Sequence, residues 1–240
     1  MEHNRVKQAL FGLAKMYMPN ARHVLDLACG RGGDLGKIAR IFPGASYTGV
    51  DSAEQAIEEL CRRASEMSLV VKAIVADAST VRVEPGAYAV VSMNFALHYF
   101  CDSRDTLASL MSNISCAMEK GGIFIGTCVD YRHLMCTYAT DNCIDLRYGK
   151  IQDLDQHPWG QKYHFVLPGC VDNPEYVVHM PSVVQVAHEY GLHLVKLRGF
   201  NAFIQSATHI CPECPESNAL YCVFAFVKDS GGPQAALTHA

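Results

Sequence analysis

The chain has 240 residues, of which 50% are hydrophobic and 18% charged, with a formal net charge of −4 and eleven cysteines. That length gives between one and two units at roughly 150 residues per domain, and the composition excludes a disordered, collagenous or coiled-coil chain. The charge excludes a large sequence-independent nucleic-acid surface, which needs a basic field, but not an anion held by a few placed cations. The richest apolar run, residues 87–100, is interrupted by Asn94 and His98 and is too short to span a bilayer. No apolar stretch follows Met1-Glu-His-Asn-Arg5, so no signal-peptide pattern is visible. The cysteines are odd in number, and Cys29, Cys128 and Cys222 sit inside apolar runs. They read as core thiols in a reducing compartment rather than as a disulfide scaffold.

In chain order, residues 3–17 form an amphipathic helical pattern stopped by Pro19, and 23–28 a first buried strand. A helix over 33–41 ends at Pro43-Gly44, 47–51 is a second strand, and Ser52 is a plausible N-cap for a helix over 52–67. Strands at 70–77 and 88–93, a helix at 106–118 and a fifth strand at 123–129, after Gly121-Gly122, complete an alternation that predicts a mostly parallel sheet. Beyond residue 130 the pattern changes: a short helix at 133–138, then 144–148 and 163–167 alternating as an exposed antiparallel pair, punctuated by Pro158, Pro168 and Pro174. A helix at 182–190 and strands at 192–197 and 219–228 follow, and the Gly-, Pro- and Ala-rich tail 230–240 is expected to fray.

The segment Val24-Leu-Asp-Leu-Ala-Cys-Gly-Arg-Gly-Gly-Asp34 places a glycine-rich turn between a strand and a helix, where a ligand can approach the backbone. Dinucleotide enzymes use such a turn too, with a pyrophosphate at the helix N-terminus. Here Asp26 and Asp34 flank the turn; they would repel a pyrophosphate but suit the ammonium and sulfonium charges of S-adenosylmethionine. Asp51, at the end of the second strand, is placed to take both ribose hydroxyls, and Asp77, at the end of the third, to accept from the adenine amino group. Acids at three successive strand ends share one rim of the sheet, the rim where open α/β folds bind ligands. The expectation is a class I methyltransferase fold.

The same segment, with Ser92-Met-Asn-Phe-Ala-Leu-His-Tyr99, Gly121-Gly-Ile-Phe-Ile-Gly-Thr127, Val171-Asp-Asn-Pro-Glu-Tyr176 and Leu220-Tyr-Cys-Val-Phe-Ala-Phe226, resembles the eukaryotic mRNA cap (guanine-N7) methyltransferases in block order over nearly the whole chain. The resemblance implies an α/β, Rossmann-like fold with a mostly parallel seven-stranded sheet and a small antiparallel cap-facing insertion. It implies one methyltransferase domain over 1–229, with 131–180 as the substrate-facing elaboration and 230–240 as a flexible tail. Carried over by position, Lys7 meets the cofactor carboxylate; Asp26 and Asp34 flank the methionine moiety; Ala28, Gly30, Asp51, Asp77, Asn94 and Tyr99 fall on the other S-adenosylmethionine positions. Arg31, Lys37, Arg63, His98, Tyr99, Glu175 and Tyr221 fall on positions implied to contact the cap. The implied partners are the capped 5′ end of RNA, GpppN, and a guanylyltransferase or capping-complex subunit, with no membrane; the implied compartment is the nucleus, or the cytoplasm for a virus-encoded or cytoplasmic enzyme.

Guanine N7 carries an in-plane lone pair and no proton, so attack on a sulfonium methyl needs no general base, only proximity and in-line orientation. No catalytic acid or base is therefore assigned. Glu175 is expected to accept from guanine N1 and N2, His98, Tyr99 and Tyr221 to frame the base, and Arg31, Lys37 and Arg63 to meet the triphosphate. The sequence departs from the family at Ala28, where glycine is usual and a methyl is tolerable unless the backbone needs positive φ. It departs also at Asn94, one methylene shorter than the usual glutamine, at Val129, where proline is frequent, and in a shortened insert before the last strand. The alternatives are a class I enzyme acting on another nucleobase or a small molecule, a non-catalytic cofactor-binding subunit of a capping complex, and a dinucleotide oxidoreductase, which Asp26 and Asp34 disfavour. His209-Ile-Cys-Pro-Glu-Cys214 is half a zinc site without a second Cys-x-x-Cys and is read as loop cysteines, so no metal is expected. The chain also reads as a near-minimal catalytic core that an N-terminal extension would precede.

Overall fold

A computed structural model describes residues 2–137, 144–145, 150–167, 171–208 and 220–230. The chain opens with α1 (Glu2–Tyr17). Its Val6, Leu10, Phe11 and Ala14 are fully buried, a stripe at helical spacing that faces the sheet. Strands β1 (His23–Leu27), β2 (Ser46–Asp51) and β3 (Val71–Val75) alternate with α2 (Leu35–Ile41) and α3 (Glu54–Glu66). β4 (Tyr88–Asn94), a 3-10 turn at Leu97–Phe100, α4 (Arg104–Ala117), β5 (Met118–Val129) and α5 (Tyr131–Thr137) follow. Then come β6 (Ile144–Asp145), β7 (Lys162–Leu167), β8 (Val171–Tyr176), α6 (Met180–Glu189), β9 (Leu192–Gly199), α7 (Phe200–Thr208) and β10 (Tyr221–Lys228).

Seven strands form one sheet in the order β3-β2-β1-β4-β5-β10-β9, with β10 antiparallel to both its neighbours, and β6-β7-β8 form a small antiparallel sheet. Alternate residues of the large sheet feed two separate cores. Val24, Val90, Ile123, Ile125 and Val223 join α1, α2, α3 and α7 on one face. Leu25, Val91, Phe124, Phe224 and Phe226 join α4 and α6 on the other. Strands covered on both sides are apolar at nearly every position, which is why β4 is apolar from Tyr88 to Val91 and again at Met93.

The structure departs from the sequence reading in five places. The strand expected to be exposed over 163–167 has Tyr163, His164 and Phe165 buried, because its sheet packs against the core. β3 stops at Val75, so Asp77 stands two residues beyond the strand. Ser52 does not cap α3: the N-cap is Ala53, and the Asp51 carboxylate accepts its N–H at 2.9 Å. β8 was not expected, because Pro174 argues against a strand; β8 is an edge of the small sheet, where a missing N–H is tolerated. α7 was not expected either, although Phe200, Phe203 and Ile204 are buried at helical spacing. The pair His209/Cys211–Cys214 and the tail 231–240 lie outside the described residues. No described helix is long and apolar enough to cross a membrane.

Ala28 has φ +51°, in the left-handed region, so the condition under which its methyl is costly is met. Ala28→Gly is expected to raise the unfolding free energy by about 1 kcal/mol, the left-handed penalty less the extra unfolded-chain entropy of glycine. A urea unfolding midpoint that stays put or falls would contradict this.

Candidate active site

The chain leaves β1 for β2 on one side and β4 for β5 on the other, so the connections diverge above the β1–β4 pair and open a crevice at the strands' carboxyl ends. The turn 28–34 lies at that crevice and is tied down by Asp51, whose Oδ2 accepts from the Gly30 N–H at 2.7 Å while Oδ1 holds Ala53. One carboxylate at the end of β2 thus fixes both the glycine-rich turn and the start of α3. Each of its oxygens keeps a further lone pair for a ligand.

Asp26 lies beneath the turn and is 2% exposed. It receives the Ser92 hydroxyl on Oδ1 at 2.6 Å and the Tyr47 phenol on Oδ2 at 2.9 Å. Ser92 is its register partner on β4, whereas Tyr47 reaches it across Gly49 of β2, the register partner of Asp26. A Cβ at residue 49 would stand 2.9 Å from the Tyr47 ring and 2.7 Å from a Leu60 methyl, so only glycine leaves the phenol its path. Burial, and secondarily the charge of Asp34, push the Asp26 carboxyl up to about 7, against the hydrogen bonds from Ser92 and Tyr47 and the charge of Lys7. A carboxyl raised in the folded state holds its proton there after the unfolded chain has released it, so it erodes stability as pH climbs from the ordinary carboxyl range toward 7. Asp26→Asn is expected to flatten that slope; identical pH dependence of the thermal midpoint in both proteins would contradict the assignment.

Asp34, 6% exposed, gathers three donors: Lys7 of α1 at 2.8 Å, Lys37 of α2 at 2.9 Å and the Asn94 amide at 3.1 Å. Two ammonium groups on one carboxylate leave a formal charge of +1, which suits the carboxylate end of an amino acid. Asn94, despite its short side chain, reaches Asp34 and also accepts from Thr127 at 3.3 Å.

Two cavities meet at this rim. The first, about 370 Å³, is lined by Ala28, Asp51, Asp77, Tyr99, Asp102 and Tyr176 among others. Among the described residues it presents three carboxylates and no Lys or Arg, which suits a cationic or neutral ligand and repels a pyrophosphate. Both hydrogen bonds to the Asp77 carboxylate among the described residues fall on Oδ1, from the Ser79 N–H and hydroxyl. The second, about 260 Å³, is lined by Phe95, Tyr99, Phe165, Tyr221, His3, His98, Val129, Asn173 and Glu175, rings around one carboxylate at the scale of a purine base. Tyr99 lines both. Glu175 and Tyr176, neighbours on β8, face opposite ways, one into each cavity.

In the second cavity Glu175 is 6% exposed. Its Oε2 accepts from the Tyr163 hydroxyl at 2.5 Å, and its Oε1 stands 3.7 Å from His98 Nε2. Burial raises the Glu175 carboxyl and pushes the His98 imidazole down to about 4. His98 is therefore neutral at pH 7, the pair is not an ion pair, and the buried Nε2, which has no hydrogen-bond partner among the described residues, is left for a ligand. Phe95 enters the cavity because its backbone, at φ +56°, turns β4 sharply into the 3-10 turn, an arrangement that Thr127 holds through its carbonyl at 2.9 Å and its hydroxyl at 3.1 Å to the Phe95 N–H.

Of the residues singled out from the sequence, Ala28, Asp51, Asp77 and Tyr99 line the first cavity, and His98, Tyr99, Glu175 and Tyr221 the second. Lys7, Lys37, Asn94 and Asp34 form the cluster beside them, Asp26 lies behind, and Gly30 binds Asp51. Lys37 also donates to the Gly33 carbonyl at 2.8 Å, so it is drawn to Asp34 rather than extended. Arg31 is exposed on the turn. Arg63 pairs with Glu59 at 2.7 Å, one helical turn past Leu60, which packs on Gly32. Sequence reading missed His3, Phe95, Phe165, Asn173 and Tyr163 in the second site and Asp102 and Tyr176 in the first. Only the alternation around Glu175, two residues from Asn173, offered a signal. Among the described residues no group of three or more His, Cys, Asp or Glu is placed to hold a metal.

Residues 3–213 match the family described as the mRNA (guanine-N(7))-methyltransferase domain. The chain belongs to this family. The mRNA cap guanine-N(7) methyltransferase 1 of Oryza sativa subsp. japonica is 30% identical over 217 residues, 80% of this chain and 58% of the relative. The mRNA cap guanine-N(7) methyltransferase of Drosophila melanogaster is 28% identical over 216 residues, 80% of this chain and 51% of the relative. The chain thus spans between half and three fifths of these curated relatives. A solved S-adenosylmethionine-dependent methyltransferase from Clostridium acetobutylicum superposes with a TM-score of 0.65 at 14% identity, covering 94% of this chain and 92% of that one, a likeness of fold. The family and the methyltransferase fold expected from the sequence are both borne out.

Proposed function

We propose that this chain, as a guanine-N7 methyltransferase domain, transfers the methyl group of S-adenosylmethionine to N7 of the guanosine cap of RNA. One observation carries the reading: a cation-free cleft with three carboxylates shares the wall Tyr99 with a ring-lined cavity holding a single buried carboxylate. The donor set fits the cofactor. Asp51 suits the ribose hydroxyls, Asp77 or Asp102 the adenine amine, Asp34 the ammonium and Lys7 the carboxylate of the methionine end. When bound, S-adenosylmethionine supplies a methyl group already activated on a sulfonium.

The chain's own residues then have to bind, orient and exclude water. Glu175 accepts from guanine N1–H and N2–H, which selects guanine over adenine and balances the positive charge that the base acquires at N7. His98 Nε2, neutral and unpartnered, offers the base edge a hydrogen bond, while Phe95, Phe165 and Tyr221 pack around it. N7 has no proton to lose, so no general base is needed. Arg31, exposed on the glycine-rich turn, and Arg63, on the helix whose Leu60 packs against that turn, are the cations proposed to meet the triphosphate, and Lys37 would join them by leaving Asp34. The insertion 131–180 serves as the substrate-facing elaboration through β7 and β8. A guanylyltransferase partner and action in the nucleus accord with the relatives' naming as mRNA cap enzymes.

The test is methylation of GpppA against ApppA by the purified chain. Only GpppA is expected to accept label, at guanine N7; equal labelling of both would overturn the reading. Glu175→Ala should lower kcat/KM for GpppA by roughly a hundredfold or more, two donors losing a charged acceptor, with S-adenosylhomocysteine affinity near normal. Asp51→Ala should instead weaken S-adenosylhomocysteine, and unchanged calorimetric affinity would count against the cofactor assignment. Because the base needs Glu175 ionised and burial raises its carboxyl, kcat/KM should fall on acidification with a midpoint above 4.5; a flat profile down to that pH would contradict the role.

A further inference from the structure

The second cavity holds a carboxylate in a place hostile to its charge. Glu175 is buried, and among the described residues the cavity lining contains no Lys or Arg. The titratable groups around it are His98 and Tyr99 from the 3-10 turn, Tyr221 from β10, His3 from α1 and Tyr163 from β7. His98 is kept neutral by burial, so it offers no compensating charge. Desolvation favours the protonated carboxyl, yet reading guanine requires both carboxylate oxygens as acceptors.

Tyr163 meets that need. It stands directly opposite Glu175 in the β7–β8 ladder, on the same face, and is 1% exposed. Its hydroxyl donates to Oε2 at 2.5 Å and opposes the effect of burial on the Glu175 carboxyl. With Oε2 held from behind, Oε1 is turned beside His98 Nε2, and Oε2 keeps a lone pair toward the cavity. A cation in the same place would also hold the carboxylate, but it would repel the charge that guanine gains at N7; a phenol supplies the hydrogen bond without the charge.

Building on the proposed function, we infer that Tyr163 is a positioning residue for guanine recognition, holding Glu175 ionised and turned so that its carboxylate spans guanine N1 and N2. Three readouts test this on the full chain. In Tyr163→Phe, kcat/KM for GpppA should fall roughly tenfold, the loss of one charge-assisted hydrogen bond, mainly through KM, with S-adenosylhomocysteine affinity unchanged. The acid limb of that profile should move to higher pH, and the preference for GpppA over IpppA, which lacks the N2 amine, should narrow. Tyr163→Gln, which keeps a donor, should recover part of each effect and serves if the Phe variant does not fold. A carbon-13 titration of the Glu175 carboxyl in ligand-free protein should show a higher midpoint in Tyr163→Phe. In a double variant with Glu175→Gln, removing the phenol should cost nothing further. An unchanged acid limb and base preference, an unchanged carboxyl titration, or losses that simply add would each overturn the inference. Wild-type chain that leaves GpppA unmethylated would overturn the proposed function, while the carboxyl titration would still report on Tyr163.

Discussion

The split between β1 and β4 is the constraint from which the site follows. Parallel strands need crossover connections, and these must cover both faces of the sheet. The strand order forces the connection after β1 to run one way and the connection after β4 the other, so the two part above the pair they share. Into that gap project the turn 28–34 and the segment after Asn94. Asp51 then welds the turn to α3, and Thr127 welds Phe95 to β5. Both welds hold non-glycine residues, Ala28 and Phe95, in left-handed backbone. Strain of this kind collects at sites where geometry is held by its surroundings.

Charge is sorted along the rim without any large net field. Two lysines share the Asp34 carboxylate at one end, carboxylates are the charged groups among the described residues lining the middle, and a single carboxylate sits among rings at the other end. A formal charge of −4 does not prevent a local positive charge beside Asp34, because the cations there are few and placed. Burial sharpens the sorting, since it keeps His98 neutral and makes the ionisation of Glu175 depend on its hydrogen bonds.

The alternation of strands and helices through residue 129, and the place of Asp51 at the end of β2, were legible because they are local patterns; Asp77 lies past its strand and Asp26 is buried behind the rim. Asp51 shows both the strength and the limit of that reading: its place at the rim is visible from spacing, but its bonds to Gly30 and Ala53 depend on a turn whose shape the sequence does not specify. β8 was hidden by Pro174, which is acceptable only because the strand is an edge, a fact of topology. Tyr163 and Glu175 are twelve residues apart, and only the β7–β8 register makes them partners. Phe95 and His3 come from separate elements onto Tyr221, at 5.3 and 5.0 Å between ring centres; no periodicity could have joined them. α7 is the exception, since its 3-and-4 spacing of Phe200, Phe203 and Ile204 was present in the sequence and not drawn on.

Tyr99 is a wall common to two rooms, and it is 53% exposed. Its ring also packs on His98, at 4.1 Å between centres. A ligand that moves this ring from one side reshapes the wall of the other cavity, and whatever effect one occupant then has on the affinity of the other is returned in equal measure.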